Sequence, residues 1–156
     1  MSDAKIRILF VCLGNICRSP AAENVLRRLV LDRGFEDRIE IDSAGILGLH
    51  TGKTPDSRMI KAARNRGLYM KGSARQVRPE DFDTFDWILA MDQENYEDLL
   101  EVQRDAAIPK ANSLCSVTSV KSATRTRFPT PTMAEKKVLK TFSIYWRMAV
   151  RGFFEN

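Results

Sequence analysis

Cys12 and Arg18 bound the seven residues CLGNICR, which set a thiol nucleophile close to a planar cation. The thiolate is the reactive form of cysteine, and helix N-termini and neighbouring guanidinium groups favour it over the thiol. Gly14 and Asn15 both tolerate left-handed backbone angles, so Leu13, Gly14, Asn15, Ile16 and Cys17 are expected to curl into a loop whose amides face one centre. Such a concave row of amides binds an anion. Ser19 is expected to cap the following helix and Pro20 to take its first position, which aims the positive end of the helix at the same centre. Arg18 can grip two equatorial oxygens of a phosphoryl group while the loop amides hold the third. The Ser19 hydroxyl can donate to the Cys12 thiolate and make it a better leaving group. The chemistry implied is phosphoryl transfer to sulfur and then to water.

Those residues need rigid elements to hold them. Ile8, Leu9, Phe10 and Val11 form an apolar run without polar alternation, the pattern of a strand buried on both faces of a parallel sheet. Ala21, Val25, Leu29 and Val30 then recur at helical spacing, and Gly34 marks a stop. A second strand carries Ile39 and Ile41 and ends in a loop at Ser43, Ala44 and Gly45. The spacing predicts a helix from about Pro55 to Arg66 with Gly67 past its end, a third strand from Trp87 to Met91, a helix capped by Asp92, and a fourth strand from Ile108 to Leu114. Alternation of strands and helices points to an α/β fold, doubly wound about a parallel sheet, with the loop after the first strand at the ligand crevice.

Length suits a single domain over residues 1–156. No apolar run approaches the roughly 18 residues of a membrane span and the first residues, MSDAKIR, lack the apolar core of a secretory signal, so a cytoplasmic protein is expected. Three cysteines at irregular spacing fit a reducing compartment, and a lone His50 without paired Cys/His spacing argues against a metal site. No cofactor is called for. The net charge of +5 is unevenly spread: residues 1–112 carry 17 Lys/Arg against 18 Asp/Glu, and residues 113–156 carry 8 against 2. A basic arm for nucleic acid would interleave aromatic residues with its charges, and residues 117–127 contain none, so no nucleic-acid partner is expected.

VCLGNICRSP resembles the signature of the low-molecular-weight protein tyrosine phosphatases, and the resemblance extends over residues 5–114. It implies a four-stranded parallel sheet in the order 2-1-3-4 and hydrolysis of phosphotyrosine, in proteins or in small aryl phosphates, by a monomeric enzyme with Cys12 as nucleophile. It further implies that Ser43 supports the side chain of Asn15, that Cys17 can guard Cys12 against oxidation, and that Leu13, Ile16, Leu49 and His50 line the substrate cleft. Two positions depart from the pattern: Leu49 stands where an aromatic residue is common, and Gly72 where many members have a histidine. For His50 an exposed loop position is the simpler expectation. The thiol-coupled arsenate reductases share the Cys-to-Arg loop but need two more relay cysteines, and none lies between Cys17 and Cys115.

The resemblance breaks after residue 114. The family's closing loop reads Asp-Pro-Tyr-Tyr-Gly-Gly, its aspartate serving as general acid, yet residues 115–134 here contain no acidic residue. Thr130 stands near the aspartate's place, and Glu135 is the nearest carboxyl in sequence. Without an acid, the cradle could hold a phosphopeptide and not turn it over. The composition of 116–132 is that of a disordered basic linker. Read with the third base of each codon joined to the next two, Phe128 to Glu135 is compatible with Pro-Asp-Pro-Tyr-Tyr-Gly-Gly, and Met133 followed by Ala134 dictates a glycine. The hypothesis is that residues from about 115 to 150 are a frame-shifted reading of an ordinary phosphatase tail. Resequenced coding DNA is expected to contain the shift, and one uninterrupted frame matching the intact protein mass would sink the idea.

Overall fold

The computed structural model describes residues 5–106 and the backbone of 113–116. Strand β1 (Ile6–Cys12) is the centre of a parallel sheet, flanked by β2 (Ile39–Gly45) and β3 (Trp87–Ala90). Its register places Cys12 beside Gly45 and Val11 beside both Ala44 and Ala90. The backbone of β4 (Ser113–Ser116) pairs with β3 on the far side, Trp87 opposite Ser113. That pairing overlaps the expected fourth strand only at its end; residues 107–112, where the rest of it was placed, lie outside the described residues, as does the atypical tail from 117 onward.

The uninterrupted apolar run of β1 is explained by its two neighbouring cores. Ile6, Ile8, Phe10 and Cys12 face one way, against Ala21, Ala22, Leu26 and Val30 of α1 (Arg18–Asp32) and Met59 of α2 (Ser57–Asn65). Leu9 and Val11 face the other way, against Phe82 of the short α3 (Asp81–Thr84), Phe85, and Leu99 of α4 (Gln93–Arg104). A strand with helices on both faces has no solvated side on which polar residues would be favoured, so alternation disappears. This arrangement also leaves Cys12 fixed by packing, since its side chain closes the α1-facing row of β1.

Helix ends follow local chemistry except at the one that matters most. Asp56 caps α2 by accepting from the Arg58 amide at 2.9 Å, and Asp92 caps α4 by accepting from the Asn95 amide at 2.7 Å. Helix α2 is therefore shorter at both ends than the expected Pro55 to Arg66. At α1 the expectation fails. The N-cap is Cys17, with no side-chain capping bond, and Ser19 and Pro20 lie inside the helix as its second and third residues. Proline is tolerated there because the first four amides have no intrahelical acceptor. Ser19 does not cap because its hydroxyl is committed elsewhere.

Candidate active site

The loop between β1 and α1 begins where the ladder with β2 ends. Ile46 donates to the Cys12 carbonyl and Leu47 to that of Leu13, both at 2.9 Å, so the segment after β2 tracks the start of the loop. This requires close approach of two backbones at Gly45: a Cβ there would lie 3.0 Å from the Asn15 nitrogen, the Gly14 carbonyl carbon and the Leu13 oxygen. Only glycine fits without displacing main chain. The turn itself is made by Asn15, whose φ is 55°, while Gly14, which also tolerates the left-handed region, does not adopt it. Gly14 serves by being small: a Cβ at that position would meet the His50 ring 3.0 Å away. His50 therefore packs over the loop and is half-buried.

Inside the loop, the Cys12 sulfur lies 3.0 Å from Ser19 Oγ and accepts from the Asn15 amide at 3.3 Å. Asn15 Nδ2 donates to Ser19 Oγ at 2.8 Å and to Ser43 Oγ at 3.0 Å, and Asn15 Oδ1 accepts from the Arg75 amide at 2.9 Å. Ser43 in turn donates to Glu23 at 2.5 Å, and the other oxygen of Glu23 is paired with Arg27. Counting protons orients the whole chain of contacts. A carboxylate only accepts, so the single Ser43 proton goes to Glu23, Ser43 Oγ must accept from Asn15, and the amide cannot flip. Ser19 Oγ accepts from the same amide and has one proton left to give, either to the Ala44 carbonyl at 3.2 Å or to Cys12. When the sulfur is a thiolate, it is the stronger acceptor. Ser19 thus lies against the sulfur from a position inside α1 and not at its cap.

Arg18, the first residue of α1, directs its guanidinium to Asp92, which joins α1 to the N-terminus of α4. Asp92 is thus both cap and partner. Partial burial works against its ionisation, but the Arg18 hydrogen bond and the Asn95 and Glu94 amides outweigh it, so its carboxyl lies below the usual range and stays charged at neutral pH. Because that depressed value makes the charged form the native one, the pair persists as pH falls until Asp92 protonates. Cys17 is a free, half-buried thiol. Burial, followed by the charges of Asp56 and Cys12, raises its pKa, and it remains protonated at neutral pH. Leu13, Leu47 and Leu49 are exposed, and Ile16 is half-buried.

Of the residues expected at the site, Cys12, Asn15, Ser19 and Ser43 meet in one network and Arg18 is directed to Asp92, while Glu23, Arg75 and Leu47 were not expected there. Glu23 carried a signal, since Ser19, Glu23 and Arg27 recur every four residues on one face of α1. Arg75 carried none. Among the described residues no group of His, Cys, Asp or Glu could hold a metal ion, and no helix is long and apolar enough to cross a membrane. The Cys12 sulfur lies against Ser19 Oγ and the Asn15 amide at the N-terminus of α1.

The loop sits on a parallel α/β sheet, and comparison with known proteins identifies the family. The chain belongs to the family of low molecular weight phosphotyrosine protein phosphatases, whose model matches residues 7–148. It is 49% identical over 92 residues to the low molecular weight phosphotyrosine protein phosphatase of Sus scrofa, covering 59% of this chain and 58% of the relative. It is 50% identical over 91 residues to the low molecular weight protein-tyrosine-phosphatase YfkJ of Bacillus subtilis, covering 58% of each. The matching stretch thus spans 58% of the length of both curated relatives. The crystal structure of YfkJ superposes with a TM-score of 0.70 at 34% identity, covering 96% of both chains. A protein tyrosine phosphatase of Entamoeba histolytica gives 0.68 at 33% identity, covering 91% of this chain and 90% of that one.

Replacing Arg18 with lysine keeps the charge but removes the planar fork. Vanadate affinity of Arg18→Lys is expected to fall about tenfold or more, from the loss of a charge-assisted bidentate contact. Inhibition by vanadate at wild-type concentrations would remove Arg18 from the anion site.

Proposed function

We propose that the chain hydrolyses aryl phosphate monoesters, phosphotyrosine in proteins among them, through a cysteinyl-phosphate intermediate. The observation that carries this reading is the Cys12 sulfur set 3.0 Å from Ser19 Oγ and 3.3 Å from the Asn15 amide at the N-terminus of α1. Cys12 attacks phosphorus, the S–P bond forms as the aryl O–P bond breaks, and the phenolate departs. Water then attacks phosphorus, inorganic phosphate leaves, and the Ser19 proton stabilises the returning thiolate. Arg18 and the amides of Leu13, Gly14, Asn15, Ile16 and Cys17 hold the equatorial oxygens, while Leu13, Ile16, Leu49 and His50 border the aryl group. We read the support as a doubly wound sheet of four strands in the order 2-1-3-4, within one domain over residues 1–156.

The proton for the leaving group is the open element. A positioned general acid contributes roughly 10² to 10⁴ in rate. Thr130 cannot act as that acid, and both it and Glu135 lie outside the described residues. The absence of any carboxyl in residues 115–134 favours a second reading, an oxyanion-binding protein that turns over only activated esters.

Cys17 is read as the thiol that traps oxidised Cys12. Peroxide converts the Cys12 thiolate to a sulfenic acid, Cys17 displaces its hydroxyl as water, and a disulfide forms that added thiol can reduce. Since the attacking species is a thiolate and the Cys17 pKa is raised, closure should quicken as pH rises above neutrality. Peroxide inactivation should be reversible by thiol in the wild type and irreversible in Cys17→Ser; equal reversibility in both would refute the role.

The catalytic reading is tested by comparing the chain as written with a counterpart whose tail is restored to the alternative frame. Both are expected to hydrolyse aryl phosphates with acidic leaving groups. On phosphotyrosine peptides the written chain should be slower by about two to four orders of magnitude, the contribution of a lost general acid. Equal rates would show that another residue supplies the proton.

A further inference from the structure

Asn15 Oδ1 is held by a main-chain amide from a residue 60 positions later, that of Arg75. The segment around Arg75 reaches this point by pairing with the end of β2: Gly45 donates to the Arg75 carbonyl and Val77 to that of Gly45, both at 2.8 Å. The Arg75 side chain then anchors the segment. Nε and Nη2 donate to Asp42 Oδ2 at 3.0 and 2.9 Å, Nη1 and Nη2 donate to the two oxygens of Asp81 at 2.9 and 3.1 Å, and Nη1 donates to the Gln76 carbonyl at 3.3 Å. All five guanidinium protons are used, an arrangement that the three donors of a lysine cannot reproduce. Asp42 directly precedes Ser43 on β2 and accepts from the Ser43 amide at 2.8 Å, and Asp81 Oδ2 also accepts from the Arg78 amide at 2.8 Å.

Both ends of the Asn15 carboxamide are therefore registered to the same place on β2. Ser43 meets its nitrogen, and Asp42, through Arg75, fixes the amide that meets its oxygen. We propose that Arg75 is a positioning residue of the phosphatase loop, holding Asn15 in its left-handed turn so that the loop amides converge on the anion. Arg75 touches neither sulfur nor substrate; it acts through Asn15. The inference rests on the phosphatase reading above.

The consequence that separates positioning from general support is its dependence on the residue at 15. Glycine adopts a left-handed angle without any side-chain clamp. In a double-mutant cycle on the full chain, with vanadate as probe, Arg75→Met is expected to weaken binding about tenfold in the wild-type background and less than about threefold in the Asn15→Gly background. Arg75→Lys keeps a cation between Asp42 and Asp81, guarding against a fold lost to carboxylate repulsion, and should follow the same pattern at smaller amplitude. Equal losses in both backgrounds, or a wild-type dissociation constant in both Arg75 variants, would overturn the proposal. A wild-type chain that binds no vanadate would overturn the phosphatase reading and this one together, whereas tight wild-type binding that the Arg75 variants leave untouched would overturn this one alone.

Discussion

A left-handed turn at a non-glycine residue costs roughly 1–2 kcal/mol, and in this protein it falls on Asn15, which is 2% exposed. Its carboxamide meets Ser19, Ser43 and the amide of Arg75. Each such hydrogen bond contributes about 0.5–1.5 kcal/mol net, enough together to offset the turn, while an unmet amide at this depth would add a penalty of about 1–3 kcal/mol. The arrangement is therefore close to all-or-none. Strand β2, helix α1 and the segment at Arg75 must all be in place for the loop to take its shape, and the position of the Cys12 sulfur follows from theirs.

Charge compensation is the second constraint. In the proposed reading the loop holds an anion, which an uncompensated carboxylate behind it would oppose, yet Glu23 is buried one contact from Ser43. Arg27, a turn further along α1, neutralises it. Asp42 and Asp81 share Arg75 in the same way, and Asp92 is held by Arg18. The Arg18 pair differs from the others in that its cation is also the group proposed to hold substrate. Its guanidinium is partly exposed, and the fork geometry leaves donors beyond those that face Asp92.

The legible parts of the sequence were those in which neighbouring residues report one environment. The run Ile8 to Val11 identified β1 because burial on both faces removes alternation, and Cys12 to Arg18 identified the loop because nucleophile, turn former and cation are adjacent. Gly34 and Gly67 marked the ends of α1 and α2, each with a positive φ just past the helix. Ser19 was misassigned because its strong local habit of capping is overruled by partners outside its own helix turn, Ala44 and Cys12.

Sequence alone placed a thiol, a turn former and a guanidinium in one short stretch, and determined the parallel α/β scaffold on which they sit. Tertiary structure alone decided which groups hold that turn in place. The contacts of Asn15 with Ser43 and Arg75 span 28 and 60 residues. No periodicity links such positions, because periodicity reports the face of one element and not the meeting of several. They come together only where β2, α1 and the segment after Ala74 converge, and the direction of every proton among them depends on distances that exist only in the folded chain.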